Sequence, residues 1–146
     1  MVGRLMFLVD TNIRLEVFLK QEKAEESRKF LETVESALLA ITEFSLYSIG
    51  IILTRFNKAA LFTEFLSDIE ESEIVKICLN INDLKEIPLL HHQFKLDFDD
   101  AYQYIASKKY DYTLISFDKD FDRTDRGKKL PNQALQEFGR VSGKNK

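Results

Sequence analysis

Two aspartates stand directly beyond apolar runs: Asp10 follows Leu5 to Val9, and Asp118 lies just past Tyr112 to Ser116, with the acidic pair Asp99 and Asp100 between them. Carboxylates gathered in space repel one another, and without a cation one or more takes up a proton. Hard divalent cations such as Mg2+ and Mn2+ prefer such oxygens together with retained waters, so a small acidic cluster with open coordination positions is what metal-assisted phosphate chemistry requires. Any single acid among the chain's 24 is more often a solvated charge or a helix cap. Asp120 and Asp122 read as turn residues around Phe121. His91 and His92 are adjacent rather than a helical turn apart and read as surface histidines, while Cys78, alone in the apolar run IVKICLNI, reads as a buried inert thiol.

The elements that must position these groups follow from periodicity. Leu5 to Val9 is a short continuous apolar run, as in a strand buried on both faces of a parallel sheet. Asn12 to Leu19 and Ala24 to Val34 carry apolar residues at helical spacing and form a hairpin of two helices. A third helix starts near Thr42 or Glu43, with Thr42 as its N-cap, and runs to Phe56; a fourth covers Ala59 to Ile69. Ile74 to Leu79 reads as the second strand and Tyr112 to Ser116 as the third. Between them lie a helical pattern over Asn82 to Phe94, which Pro88 kinks or breaks, and another over Asp99 to Lys109, capped by Asp97 or Asp99. Strands alternating with helices imply βαβ units, a mostly parallel sheet and helices on both faces. Ligands of such sheets bind beyond the carboxyl ends of the strands, where Asp10 and Asp118 meet although more than a hundred positions separate them.

A chain of 146 residues suits one domain, which we place at residues 1–138, followed by a polar, mobile tail at 139–146. The opening residues lack a signal-peptide core, and the most apolar stretch, Ala37 to Leu53, is too short and too interrupted to span a membrane, so a cytoplasmic chain is expected. A single cysteine excludes a disulfide framework and a thiolate zinc cluster. The formal charge of −3 supplies no global attraction for nucleic acid. No Gly-rich loop follows the first strand, and the late Ser142-Gly143-Lys144 lacks the strand before it and the helix after it that a phosphate-binding loop needs.

The segments FLVDTNI (Phe7 to Ile13) and LDFDDAYQYIASKKYDYTLISFDKDF (Leu96 to Phe121), at their separation, resemble the PIN-domain ribonucleases, especially the VapC-like toxins of toxin–antitoxin pairs. The resemblance extends from Leu5 to about Leu135 and implies a three-layer α/β/α sandwich and metal-dependent endonuclease cleavage of RNA with Mg2+ or Mn2+. It implies that Asp10, Asp100 and Asp118 hold the metal and, with Glu43, form the catalytic set. Thr11 or Asn12 would orient Asp10, and Ser116 keeps the hydroxyl of the family's usual Thr. Asp99 is the alternative to Asp100 in a register shifted by one. Arg14, Arg123 and Arg126 are candidate phosphate contacts, and Phe44 or Tyr47 offers a stacking surface.

One departure stands out. The family's customary Glu falls at Ser48, and the nearest acid is Glu43. Five helical residues amount to about 140° beyond a full turn, so Glu43 replaces it only through a different local geometry. This leaves open a catalytically weak or inactive PIN domain that binds RNA or protein. An aspartyl phosphotransferase or phosphatase also places an Asp after its first strand, but the second acid of that chemistry is here Asn12. For a toxin the implied partners are an antitoxin, docking on the surface from Asn12 to Val34, and a second copy of the chain.

Overall fold

Phe7, Leu8 and Val9 have no exposed surface, as a strand covered on both faces requires, and they form β1 (Phe7–Val9). In this computed structural model, which describes residues 5–144, β1 pairs in parallel with β2 (Leu39–Thr42) and β4 (Thr113–Ile115). β3 (Val75–Ile77) adds in parallel to the outer side of β2, giving the order β3-β2-β1-β4. The register sets Leu8 beside Ala40 and Leu114, and Val9 beside Ile115. Asp10 therefore leaves the sheet at the level of Ser116, and its amide donates to the Ile115 carbonyl at 2.9 Å.

Strand alternation sorts the core into layers. Phe7, Val9, Leu39 and Ile115 pack against α1 (Thr11–Phe18), α2 (Ala24–Thr33) and α8 (Pro131–Lys144) through Ile13, Phe30 and Ala134. Ile41 joins the packing between α3 (Glu43–Arg55) and α4 (Ala59–Glu71). On the opposite face Leu8, Ala40, Ile77 and Leu114 pack against α6 (Ile87–Phe94) and α7 (Phe98–Tyr110), and the short α5 (Ile81–Leu84) precedes them. This is the expected α/β/α sandwich, and among the described residues its sheet is wholly parallel.

The differences from expectation have local causes. β2 lies inside the apolar stretch Ala37 to Leu53, where a buried strand running straight into a buried helix leaves no change of period to read, so Ile74 to Leu79 contains the third strand rather than the second. Thr42 ends that strand and caps α3, its hydroxyl accepting the Ser45 amide at 3.0 Å. The helical pattern of Asn82 to Phe94 is two helices, α5 and α6, and Pro88 sits in the first turn of α6, where its missing N–H leaves no bond unmade. From Gly139 to Lys144 the expected tail belongs to α8, and residues 145–146 lie outside the described ones. Cys78 is exposed rather than buried, because it follows an edge strand with no further strand beyond it among the described residues. Both histidines are on the surface. No described helix is long and apolar enough to cross a membrane.

Phe30 carries α2 onto β1 through an edge-to-face contact with Phe7, centroids 5.5 Å apart. Phe30→Ala is expected to cost about 3–5 kcal/mol, from the lost transfer energy and the cavity left behind, measured by urea denaturation.

Candidate metal centre

The carboxyl edge of the sheet carries a pocket of about 250 Å³ lined by Asp10, Asp99, Asp100 and Asp118, together with Gln103 and Ser48. Each acid arrives by a separate route. Asp10 is the N-cap of α1, with backbone still extended as it leaves β1. Asp99 and Asp100 lie in the first turn of α7, and Asp118 caps the short 3-10 turn Lys119–Arg123 that follows β4. Oxygens of Asp100, Asp118 and Asp120 come within 4.8 Å of one another, and so do those of Asp97, Asp99 and Asp100.

Asp10 is only 7% exposed, and its orientation is set by four donors. Oδ1 accepts from the Thr11 amide and from Gln103 Nε2, both at 2.9 Å. Oδ2 accepts from the Ser116 hydroxyl at 2.7 Å and, at 3.4 Å, from Asn12 Nδ2. Asn12 also donates to Ser116 Oγ at 3.1 Å, and the Asp118 amide donates to the same oxygen at 3.0 Å. The Ser116 hydroxyl thus ties the first acid to the turn that carries the third. Burial pushes the Asp10 carboxyl up from its ordinary value, while the bonds from Gln103, Ser116 and Thr11 pull it back.

Asp100, equally buried by surface area, accepts no comparable set of donors. Desolvation first, then the charges of Asp118, Asp99 and Asp10, push its pKa up to about 8. Without a cation the protonated form of this acid is favoured to a much higher pH than for a free carboxyl, and a cation among these oxygens would displace the proton. An all-carboxylate donor set of this kind fits a hard divalent cation and does not suit a soft one.

Gln103 is the member that residue patterns missed. It is 2% exposed, donates to Asp10 Oδ1 and to Ser45 Oγ at 2.9 Å, and accepts from the Thr42 hydroxyl at 2.8 Å. Ser45 in turn accepts from the Thr11 hydroxyl at 2.9 Å. The available signal was spacing: Gln103 lies three residues after Asp100 and so on the same helix face.

Other expected members are not brought to the pocket. Glu43 opens α3 on the side of β3, where its carboxylate accepts from the Tyr47 hydroxyl. The Cys78 thiol and that hydroxyl hold its carboxyl below the ordinary value. Arg14 is 4% exposed: its guanidinium lies 5.5 Å from the Phe65 ring centroid, and burial lowers its pKa to about 10. Arg123 donates to the carbonyls of Phe94 and Lys95 at the end of α6 and to Asp120. Arg126 donates to the carbonyls of Ser107 and Tyr112 and to Asp111, tying α7 to β4. Arg123 and Arg126 tie neighbouring elements together, and none of the three lines the acidic pocket.

The PIN domain family model matches residues 7–127, which takes in every pocket acid. The chain belongs to the PIN-domain family. No curated protein matches it. Solved structures similar to this PIN domain include Mycobacterium tuberculosis VapC20, described as a Sarcin-Ricin loop cleaving toxin, with a TM-score of 0.73 and 13% identity over 86% of this chain and 99% of that one. A toxin–antitoxin complex from Klebsiella pneumoniae gives 0.68 and 21%, covering 85% and 96%. VapBC2 from Rickettsia felis, bound to a DNA fragment from its promoter, gives 0.65 and 18%, covering 85% and 96%. At these identities the likeness is one of fold, and that fold is VapC-like.

Two outcomes follow from the acidic edge of this PIN domain. Asp100 has a folded-state pKa above its unfolded one, so between about pH 4 and 8 the folded chain binds more protons than the unfolded, and stability falls as pH rises. In EDTA the melting temperature is therefore expected to drop from pH 5 to pH 8. Asp100→Asn should flatten that slope and raise the pH 8 midpoint by about 3 °C for each kcal/mol of repulsion relieved. Gln103→Leu keeps the volume but removes one of the four donors to Asp10 and leaves the Thr42 hydroxyl without its acceptor, so a loss of about 1–3 kcal/mol in chemical denaturation is expected.

Proposed function

We propose that this PIN domain is an endoribonuclease that uses Mg2+ or Mn2+ to hydrolyse RNA phosphodiester bonds, and that it is the toxin of a pair silenced by an antitoxin protein. The observation that carries the reading is the convergence of Asp10, Asp100 and Asp118 on one pocket, where burial and the neighbouring charges push the Asp100 carboxyl well above the ordinary carboxylate range. A divalent cation held there would offset that repulsion, polarise a phosphoryl oxygen and make a bound water more nucleophilic. Asp100 and Asp118 would be its main holders, with Asp10 reaching it through Oδ2, whose long contact to Asn12 leaves acceptor capacity. Thr11, Asn12, Ser116 and Gln103 act as positioning residues for Asp10, and Asp99 adds negative charge at the rim. Asn12, standing where an aspartyl phosphotransferase carries its second acid, argues against an aspartyl nucleophile.

A second reading, an RNA-binding domain of weak activity, is favoured by one feature. Ser48 lines the pocket where the family's customary Glu would stand, and the Glu43 carboxylate is engaged by Tyr47. For the antitoxin, an apolar groove of about 490 Å³ formed by Leu15, Leu19, Ile52 and Phe56 adjoins the acidic pocket and shares Asn12, Leu15 and Ile52 with it. A partner segment seated there would cover the acids. A homodimer remains part of the proposal through family likeness.

The test is cleavage of structured and single-stranded RNA with Mg2+, Mn2+ or EDTA. Asp10→Asn and Asp100→Asn are expected to lose on the order of 100-fold or more, the equivalent of several kcal/mol of transition-state stabilisation. Glu43→Gln should leave the rate unchanged. Ser48→Glu should raise it if the second reading holds, and unchanged cleavage in both aspartate variants would sink the metal-nuclease proposal.

A further inference from the structure

We infer that Phe44 and Phe98 form a subsite for an unpaired nucleobase beside the acidic pocket, an inference that rests on the ribonuclease reading. Phe44, in the first turn of α3, lines the pocket together with Ser48, Asp99 and Asp100. Its ring lies 5.2 Å from that of Tyr102 and 5.8 Å from that of Phe98, centroid to centroid. Tyr102 is buried, and its hydroxyl accepts the Leu79 amide at 3.1 Å, so the inner end of this aromatic run is fixed. Phe98, one helical turn earlier on α7, is the outer end and is 55% exposed.

A single exposed Phe is ordinary. This one is the open end of a run of rings whose middle member borders the acids.

Stacking would add affinity to what a bound cation supplies. Arg14 is buried, and Arg123 and Arg126 are bound to carbonyls and aspartates, so these three do not hold a base in place. Stacking on an aromatic face needs no cation, is tolerant of sequence and is worth about tenfold in affinity per base. A nucleobase fits this rim better than an apolar protein surface does. Asp97 and Asp99 flank Phe98 and are exposed, so a protein face over the ring would desolvate two carboxylates, whereas a single stacked base leaves them in water.

The experiment uses the full chain and a short single-stranded RNA carrying 2-aminopurine, with Ca2+ for binding and Mn2+ for cleavage. Phe98→Leu keeps an apolar side chain but removes the π face; it is expected to abolish the stacking quench and to raise both Kd and KM about tenfold, with kcat within about twofold. Phe98→Trp should restore quench, Kd and KM. Phe44→Leu should repeat the first result if it folds, and Phe98→Leu, at an exposed position, decides the matter if it does not. Cleavage by wild type with unchanged Kd and quench in Phe98→Leu would overturn the subsite and leave the nuclease standing. A wild type that neither binds nor cleaves RNA with any of these metals would overturn both. A Phe98→Leu protein altered only in self-association or in binding a protein partner would make the rim a protein interface and overturn the base subsite.

Discussion

Mutual repulsion among carboxylates that are largely removed from water is the constraint around which this molecule is arranged. Asp10 and Asp100 are both buried and share a pocket with Asp118 and Asp99, so each raises the free energy of the charged form of the next. The two buried acids meet that cost differently. Asp10 is held by four donors that lower its pKa against the effect of burial, whereas Asp100 is left to keep its proton. One acid is thus fixed in place, and the other has its charge decided by what enters the pocket.

The parallel sheet makes the arrangement possible because the carboxyl ends of its strands lie on one edge and helices begin there. Asp10 caps α1, Asp99 and Asp100 lie in the first turn of α7, and Asp118 caps a 3-10 turn. The positive end of a helix dipole favours an anionic side chain, which offsets part of the repulsion. Between these starts runs a chain of side-chain hydrogen bonds, from Thr42 to Gln103 to Asp10 to Ser116, that spans the edge from β2 to β4. The large apolar residues beneath hold these groups in register. Phe7 and Phe30 do so on one face, and Phe121 and Leu96 on the other, all of them without exposed surface.

Basic residues contribute to this edge indirectly. Arg123 satisfies carbonyls at the end of α6, where Lys95 turns into the left-handed region with φ of 57°, and Arg126 does the same where α7 gives way to β4. Arg123 thereby binds backbone oxygens that the end of α6 would otherwise leave without a partner, and Arg126 adds to carbonyls beside the end of α7. These two arginines therefore serve the closure of α6 and α7, which bring Phe98 to Asp100 into position, and Phe44 lines the pocket beside the acids.

The order of strands and helices was legible in the amino-acid sequence wherever apolar periodicity changed from one element to the next, as at Asp10, at Thr42 as a cap and at Asp118. Local patterns sufficed there because a strand end followed by a capping residue is a short-range event. β2 and α8 were hidden, the first because strand and helix are equally apolar across Leu39 to Leu53. Sequence by itself determined which acids follow which strands, and hence that Asp10 and Asp118 share an edge. Only the tertiary structure decided that Glu43 turns toward Tyr47 and Cys78, that Arg14 is buried on Phe65, and that Gln103 completes the hold on Asp10. The physical reason is the same in each case: where a side chain points, and whether it is desolvated, depends on the packing of neighbours distant in the chain, which no spacing along one segment specifies.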